Sequence, residues 1–216
     1  NNVFLASKLS VVNELANICK VHGIDGYAVM DAVGMDDRIG ARFMRSGAGW
    51  GGSCFPKDTD AMIQEAEEAG YDAALLRAVR EQNDRQPMRL IELLEGHLQV
   101  EEATVTVCGA AFKPGTDDIR GTRSRPLLTA LEHRTAALRL TDPSGAIRLA
   151  DEFDHVQAVS ETAAALAGAD AAIVMTAWPQ YSRLGEHVEG MRRPIVIDGR
   201  RVVEPTPAMV YEGLTW

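Results

Sequence analysis

The stretch from Gly47 to Asp58, GAGWGGSCFPKD, holds the residues of this chain whose types and spacing best suit chemistry. Gly47, Gly49 and Gly52 satisfy the G-x-G-x-x-G spacing of a dinucleotide-binding turn, and Cys54 follows two residues later. The sequence therefore poses a choice between a cofactor loop, a loop that carries a nucleophile and a flexible connection.

A dinucleotide-binding turn requires a buried strand directly before its first glycine. Residues 36–45, DDRIGARFMR, are too rich in charge for a buried parallel strand. Asp72 lies about 20 residues downstream, but it falls between two predicted helices and not at the end of a second strand. The context therefore argues against a cofactor turn here.

Cys54 has a better case as a nucleophile. A free thiol has a pKa of about 8.5 and is about 3% thiolate at pH 7, so a reactive cysteine needs a helix N-terminus or a cation nearby. We expect a helix to begin near residues 56–59, with Lys57 adding charge and Asp58 able to orient a water or take a proton. The alternative is that Cys54 packs as a small apolar residue beside Phe55. The residues alone leave both interpretations open.

Composition narrows the class of protein. A net charge of -9 and a pI near 5.1 argue against sequence-independent binding of nucleic acid, because such binding depends on Lys and Arg clustered against the phosphates. Cys19, Cys54 and Cys108 form no CxxC pair, so the sequence predicts neither a metal site nor a disulfide framework, and a reducing, cytoplasmic location fits best. We find no apolar run long enough for a membrane span and no signal peptide. Because the chain begins without Met and its first residues already read as a helix face, we expect residues to precede Asn1.

Apolar spacing in the first half predicts helices over residues 3–21, 27–32, 58–68 and 73–97, with Asp58 or Thr59 as a cap and a kink at Pro87. Residues 35–55 are rich in glycine and lack any periodicity, so we expect a long connection there. In the second half, short β-branched runs predict strands over residues 104–108, 137–141, 156–159, 171–175 and 195–197. Helices are expected between them, at residues 125–133 and 161–167. The predicted fold is an all-α helical half, residues 1–98, followed by a doubly wound parallel α/β half that is Rossmann-like, residues 99–216.

The motifs resemble the UDP-glucose/GDP-mannose 6-dehydrogenase family over nearly the whole chain. GAGWGGSCFPKD is similar to its catalytic-cysteine loop, and the other matching segments are NVFLA with Asn13-Glu14, DRIG at residues 37–40, FKP at 112–114, TDDIR at 116–120, Asp142-Pro143, Trp178 and DGR at 198–200. The resemblance implies an NAD-dependent, four-electron oxidation of a sugar C6 alcohol. UDP-glucose is the favoured substrate, in a homodimer formed through the helical half.

The resemblance also implies roles for particular residues. Cys54 would be the nucleophile, Asp58 would assist water, and Asn2 would lie at the reacting oxygen. The implied substrate-binding residues are Arg38, which would reach across the dimer, Phe43, Arg45, Gly49, Trp50, Gly51, Gly52, Phe55, Lys113 and Arg200. Lys57 and Arg120 would contact NAD, and no metal is implied.

Departures from the family pattern limit what this chain is expected to do alone. The family carries NAD on an N-terminal Rossmann domain and has a catalytic lysine four residues before the position of Asn2, and both would fall before Asn1. We therefore expect the 216-residue chain to be inactive by itself. Gly121-Thr122 and Ala177 also differ from the family. GDP-mannose oxidation and a non-catalytic module that binds nucleotide sugar or only dimerises remain the alternatives, and a cysteine hydrolase is weaker because no histidine has an evident role.

Overall fold

The computed structural model describes every residue from Asn1 to Trp216. Four helices precede the first strand: α1 (Asn2–Val21), α2 (Gly26–Val33), α3 (Cys54–Glu68) and α4 (Ala74–Glu95). α1 packs against the other three. Between α2 and α3, residues 34–53 have no regular structure, which is the long glycine-rich connection that the sequence predicts.

The predicted start of α3 was wrong by several residues. The helix begins at Cys54 with Ser53 at its N-cap position, so neither Asp58 nor Thr59 caps it. Pro56 is tolerated in the first turn because the N–H groups there have no helical acceptor. Cys54 is consequently the first residue of the helix and not part of the loop before it.

Six parallel strands form one sheet in the order β3-β2-β1-β4-β5-β6. They are β1 (Thr104–Cys108), β2 (Ala137–Thr141), β3 (Val156–Ala158), β4 (Ala171–Val174), β5 (Ile195–Asp198) and β6 (Val210–Gly213). The helices α5 (Ser124–Leu131), α6 (Ala146–Ala150) and α7 (Thr162–Leu166) lie between strands, with 3-10 segments at Val100–Glu102 and Pro179–Gly190. The predicted parallel sheet with intervening helices is confirmed.

Two elements escaped the sequence patterns. β6 has only four residues, ends in a glycine and is not fully buried, so it shows no apolar run. α6 has five residues, which is too short for a repeating apolar face. Pro87 lies inside α4, which continues without interruption from Ala74 to Glu95.

The main hydrophobic core joins the sheet to the end of α4. Val105 and Val107 of β1 belong to the same buried cluster as Leu90 and Leu94 of α4. The glycine-rich loop reaches the carboxyl end of β5, where the backbone N of Ala48 donates to the carbonyl of Gly199 across 3.1 Å. This packing places the loop between the first helices and the sheet. None of the helices combines the length and apolar character that crossing a membrane would require.

Candidate active site

Cys54 is exposed at the start of α3. Its Sγ lies 3.7 Å from the hydroxyl of Ser53. The positive end of a helix dipole favours negative charge at this position. The structure therefore offers a solvent-accessible thiol in surroundings suited to a nucleophile.

Asp58 follows Cys54 by one helical turn, so both side chains lie on one face of α3. The side-chain amide of Asn2 donates to Asp58 Oδ2 across 2.6 Å, and Lys57 Nζ lies 3.3 Å from Asp58 Oδ1. These two hydrogen bonds, that from Asn2 first, lower the pKa of the Asp58 carboxyl. The three residues predicted as catalytic are thus brought together by α1 and α3, with Asp58 held as a carboxylate.

The glycines before Cys54 are required by close backbone approach. Gly49 and Gly52 have positive φ angles of 99° and 83°. A Cβ on Gly51 would lie 2.1 Å from the carbonyl oxygen of Gly121, and one on Gly52 would lie 2.9 Å from the Phe112 ring. Side chains at these positions would push the loop away from the α/β half.

Buried polar side chains from α1 hold this loop in place. Asn13 Oδ1 accepts from the backbone N of Gly47 across 2.9 Å, and Ser10 Oγ accepts from Trp50 Nε1 across 3.0 Å. Sequence analysis missed both anchoring roles. The signal that could have revealed these roles is a polar residue on the buried face of an amphipathic helix, because a buried polar side chain needs a hydrogen-bond partner.

A cavity of about 220 Å³ opens beside the loop. It brings together six of the predicted site residues: Arg45, Gly49, Trp50, Gly51, Phe55 and Arg200. Its lining also includes Leu9, Asn13, Gly47 and Phe112, which were not among the predicted site residues. Two guanidinium groups at one small cavity make it suited to an anionic ligand.

Arg200 is fixed by two backbone carbonyls, one just after β4 and one in the glycine-rich loop. Its Nε donates to the carbonyl of Met175 across 2.7 Å, and one terminal nitrogen donates to the carbonyl of Gly49 across 3.2 Å. Asp198 Oδ1 accepts from the backbone N of Arg200, which sets the turn after β5. Burial lowers the pKa of the Arg200 guanidinium. Arg200 therefore links the glycine-rich loop to the sheet.

Arg45 lines the same cavity and is more exposed than Arg200. It forms an ion pair of 2.7 Å with Asp31, and its guanidinium lies 5.1 Å from the centre of the Tyr27 ring. Phe55 is within 6.1 Å of Trp50 and 6.5 Å of Phe43, measured between ring centres. Phe43, Trp50 and Phe55 therefore form an aromatic cluster on one side of the loop.

The remaining predicted residues lie at the rim or farther away. Lys113 is exposed, with Nζ over the Phe112 ring at 5.2 Å. Hydrogen bonds with Asp118 raise the pKa of Arg120, and the next residue, Gly121, lies against Gly51 and Gly52 of the loop. Arg38 is exposed, pairs with Asp36 and does not line this cavity. No group of three or more His, Cys, Asp or Glu side chains is arranged to hold a metal ion.

Comparison with known proteins assigns the two halves of the chain. Residues 1–85 match the central domain of the UDP-glucose/GDP-mannose dehydrogenase family, and residues 106–205 match its UDP-binding domain. The chain belongs to this family. The first match contains Cys54 and Asp58, and the second contains Lys113 and Arg200.

Individual relatives in the family agree with this assignment. A UDP-glucose 6-dehydrogenase of Haloferax volcanii is 46% identical over 214 residues, which are 99% of this chain and 50% of that protein. One from Pseudomonas aeruginosa is 39% identical, with 99% and 50% coverage. The solved structure of a UDP-glucose dehydrogenase from Pyrobaculum islandicum superposes with a TM-score of 0.89 at 39% identity, covering 100% of this chain and 49% of that one. The chain thus spans about half the length of these relatives.

Proposed function

We propose that this chain is the half of a nucleotide-sugar 6-dehydrogenase that carries the nucleophilic cysteine and holds UDP-glucose. The observation that carries the proposal is the placement of Cys54 at the start of α3, with Asp58 one turn later and fixed by Asn2 at 2.6 Å. The complete enzyme would oxidise UDP-glucose to UDP-glucuronate. The relatives named UDP-glucose 6-dehydrogenase support this substrate.

Cys54 would supply the covalent step. Its Sγ adds to the carbon of the C6 aldehyde, and the thiol proton ends on the former carbonyl oxygen, which gives a thiohemiacetal. Loss of a hydride from C6 and of the hydroxyl proton gives a thioester. Water then cleaves the C–S bond, so that a carboxylate leaves and the thiol is restored.

Asp58 would hold the water that cleaves the thioester. Its lowered pKa keeps it ionised at neutral pH, so it accepts a hydrogen bond from water. Asn2 donates to one carboxylate oxygen and Lys57 pairs with the other, which restricts the direction of the remaining lone pairs. In this arrangement Asp58 orients water more effectively than it stores a proton, because a low pKa makes it a weak base.

NAD, when bound, would accept one hydride, so the four-electron oxidation would consume two NAD molecules in succession. The sheet of this chain does not offer the usual phosphate-binding turn after β1, because Asp142 Oδ2 already accepts from the backbone N atoms of Ala110 and Ala111, across 2.7 and 3.1 Å. Lys57 and Arg120 are exposed cations, Lys57 paired with Asp58 and Arg120 next to Gly121, which packs on the loop before Cys54. They would fit contacts to a phosphate that approaches from outside this sheet. We accordingly expect this chain alone to form no NADH.

The cavity beside the glycine-rich loop would hold the sugar nucleotide. Arg45 and Arg200 provide the positive charge for a diphosphate, and the backbone of Gly49 to Gly52 gives the sugar a close approach. Lys113 at the rim would add a second contact from the α/β half. Phe43 and Phe55 offer aromatic surface for the ligand.

A homodimer through the helical half is part of the same proposal. α1 exposes Phe4, Val11, Leu15 and Ile18, and an apolar hollow of about 420 Å³ between α1, α2 and the following loop includes Arg38 at its edge. Exposed apolar patches of this kind mark interaction sites. A second copy that covers this hollow would bring its own Arg38 close to the neighbouring subunit.

Domain organisation and location complete the proposal. We divide the chain into a helical dimerisation domain, residues 1–98, and a UDP-sugar-binding domain, residues 99–216. The final turns of α4 contribute Leu90 and Leu94 to the sheet core, so they act as the joint between the two. The three cysteines are free thiols, which fits a cytoplasmic protein.

Two alternatives to this proposal remain: an enzyme that oxidises GDP-mannose, and a non-catalytic module that only binds nucleotide sugar. The superposition on a GDP-mannose dehydrogenase of Pseudomonas aeruginosa has a TM-score of 0.69 at 27% identity, lower on both counts than that on the Pyrobaculum islandicum UDP-glucose dehydrogenase. This difference favours the uridine sugar. Covalent chemistry at Cys54 distinguishes either enzyme from a module that only binds nucleotide sugar.

The test begins with the chain as it is. Calorimetric titration with UDP-glucose, GDP-mannose and UDP measures which base is bound, and iodoacetamide labelling read by mass spectrometry measures the reactivity of Cys54 with and without UDP-glucose. For activity, the chain is joined to the N-terminal half of the Haloferax volcanii relative, and NADH formation is followed for wild type, Cys54→Ser and the control Cys19→Ser.

The outcomes separate the proposals. UDP-glucose binding with protection of Cys54, and NADH formation that Cys54→Ser alone removes, is the expected result. Tighter binding of GDP-mannose than of UDP-glucose would make GDP-mannose the proposed substrate. Binding without any protection of Cys54 contradicts the catalytic assignment and leaves a binding module.

A further inference from the structure

Helix α4 contains a carbonyl group that the helix itself does not satisfy. In an α-helix the N–H of residue i+4 donates to the carbonyl of residue i. Pro87 lies within α4 and has no N–H, so the carbonyl of Asn83 lacks its helical donor. Because Asn83 is fully buried, this oxygen needs another partner.

Arg123 supplies that partner from the other half of the chain. One of its terminal nitrogens donates to the Asn83 carbonyl across 3.0 Å and lies 3.2 Å from Asp84 Oδ1. The Arg123 side chain is only 10% exposed, and its Nε is buried without a hydrogen-bond partner. An apolar side chain would fill the same space without that desolvation cost, so packing alone does not explain an arginine here.

The side chain of Asn83 continues the connection into the glycine-rich loop. Its Oδ1 accepts from the backbone N of Trp50 across 2.7 Å, and its Nδ2 donates to the backbone carbonyl of Trp50 across 3.0 Å. The Asn83 carboxamide thus forms with the Trp50 backbone the same two kinds of hydrogen bond that the backbone of a neighbouring strand would form. A Cβ on Gly49 would lie 2.8 Å from Asn83 Oδ1 and 3.3 Å from Arg123 Nε, so the glycine permits both groups to approach.

We propose that Asn83 and Arg123 are positioning residues for the glycine-rich loop that precedes Cys54. The two are coupled because Pro87 leaves the Asn83 carbonyl without a helical donor, so that it accepts from Arg123. Arg123 holds the Asn83 backbone, and Asn83 in turn holds Trp50, four residues before the thiol. Residues 121–123 also pack directly on the loop, since Gly121 O lies against Gly51. The catalytic consequence of this arrangement rests on the proposed function, whereas the arrangement itself does not.

Amide hydrogen exchange at Trp50 in this chain measures the connection directly. Arg123→Ala should accelerate exchange of the Trp50 N–H by roughly five- to tenfold, the size of one or two lost hydrogen bonds. Arg125→Ala is the matched control, since Arg125 forms an exposed pair with Glu152 and should change Trp50 exchange by less than about twofold. A melting curve of each variant shows whether faster exchange reflects local opening at Trp50 or a loss of global stability.

The coupling through Pro87 gives the decisive comparison. Pro87→Ala supplies a helical N–H to the Asn83 carbonyl, so in that background Arg123→Ala should accelerate Trp50 exchange by less than about threefold. An equal effect in both backgrounds, or equal effects of Arg123→Ala and Arg125→Ala, would overturn the proposal. If Arg123→Ala gives no cooperative melt, Arg123→Lys takes its place, and its effect must likewise shrink with Pro87→Ala.

Ligand protection links the connection to the site. UDP-glucose protection of Cys54 against iodoacetamide should fall at least about threefold in Arg123→Ala, the size of roughly one lost hydrogen bond, and stay within about twofold in Arg125→Ala. If wild type shows no protection, the proposed function fails while the exchange result still decides the positioning role. If protection is present but neither readout responds to Arg123, only the positioning role fails.

Discussion

The side-chain amide of Asn2, the first residue of α1, donates to Asp58 Oδ2 of α3 across 2.6 Å. Fifty-six positions separate the two residues in the chain. The bond explains why the pKa of Asp58 is lowered, with Lys57 as the second cause. It also ties the start of α1 to the turn that carries Cys54.

Removing this bond should raise the pKa of Asp58. Asn2→Ala should move it toward the ordinary value of about 3.9, measured by NMR titration of the side-chain carboxyl. Because the folded-state pKa lies below the unfolded one, the stabilisation by Asn2 is present above the unfolded pKa and is lost as pH falls through the folded pKa. Unfolding of the variant and wild type should therefore differ at neutral pH and converge at lower pH.

Asp36 is the internal control for that titration. Its pKa is lowered by hydrogen bonds with Arg38 and has no connection to Asn2. Its titration curve should be the same in Asn2→Ala and wild type. An unchanged Asp58 curve would show that the Asn2 bond does not persist in solution.

Arg200 should contribute to both stability and binding. Arg200→Ala leaves the buried carbonyl of Met175 without its donor, so the free energy of unfolding should fall by about 1–3 kcal/mol. It also removes a cation from the cavity, and UDP-glucose affinity should weaken at least about tenfold, or about 1.4 kcal/mol. Denaturant unfolding and calorimetry measure the two effects. Arg183→Ala, at an exposed surface pair, should change neither.

Gly51 should tolerate no side chain. In Gly51→Ala the Cβ would lie 2.1 Å from the carbonyl oxygen of Gly121, so the loop must separate from the α/β half. We expect a loss of about 1–3 kcal/mol in unfolding free energy, the usual cost of overpacking. Gly190→Ala is the matched control, because its nearest atom would lie 3.9 Å away, and it should stay within about 0.5 kcal/mol of wild type. Equal losses in the two variants would contradict the close approach.

The exposed face of α1 should form the contact between two copies. Val11→Asp with Leu15→Asp places two charges in the apolar hollow, which should convert a dimer to monomers in light scattering after size exclusion. Leu75→Asp, at a side chain 73% exposed on α4, is the control and should leave the dimer intact. A wild-type chain that runs as a monomer would argue against this surface, as would a double variant that remains dimeric.

Much of the fold could be read from local patterns. Short apolar runs located β1 and β2 with their observed bounds, and three- and four-residue spacing located α1, α2 and α4 within about two residues, the usual uncertainty of helix ends. The glycine-rich segment was recognised because it lacks any period. β6 and the first turn of α3 were missed because their residues carry no pattern that distinguishes them from a loop.

The sequence by itself determined most of the helices, five of the six strands and the segment that carries Cys54, because each depends on residues that are neighbours in the chain. The tertiary structure alone decided that Asn2 binds Asp58, that Gly51 lies against Gly121, and that Asn83 holds Trp50. These contacts join residues from 33 to 70 positions apart. Local periodicity carries no information on such distances, which are set by how the helices and the sheet pack around a shared core.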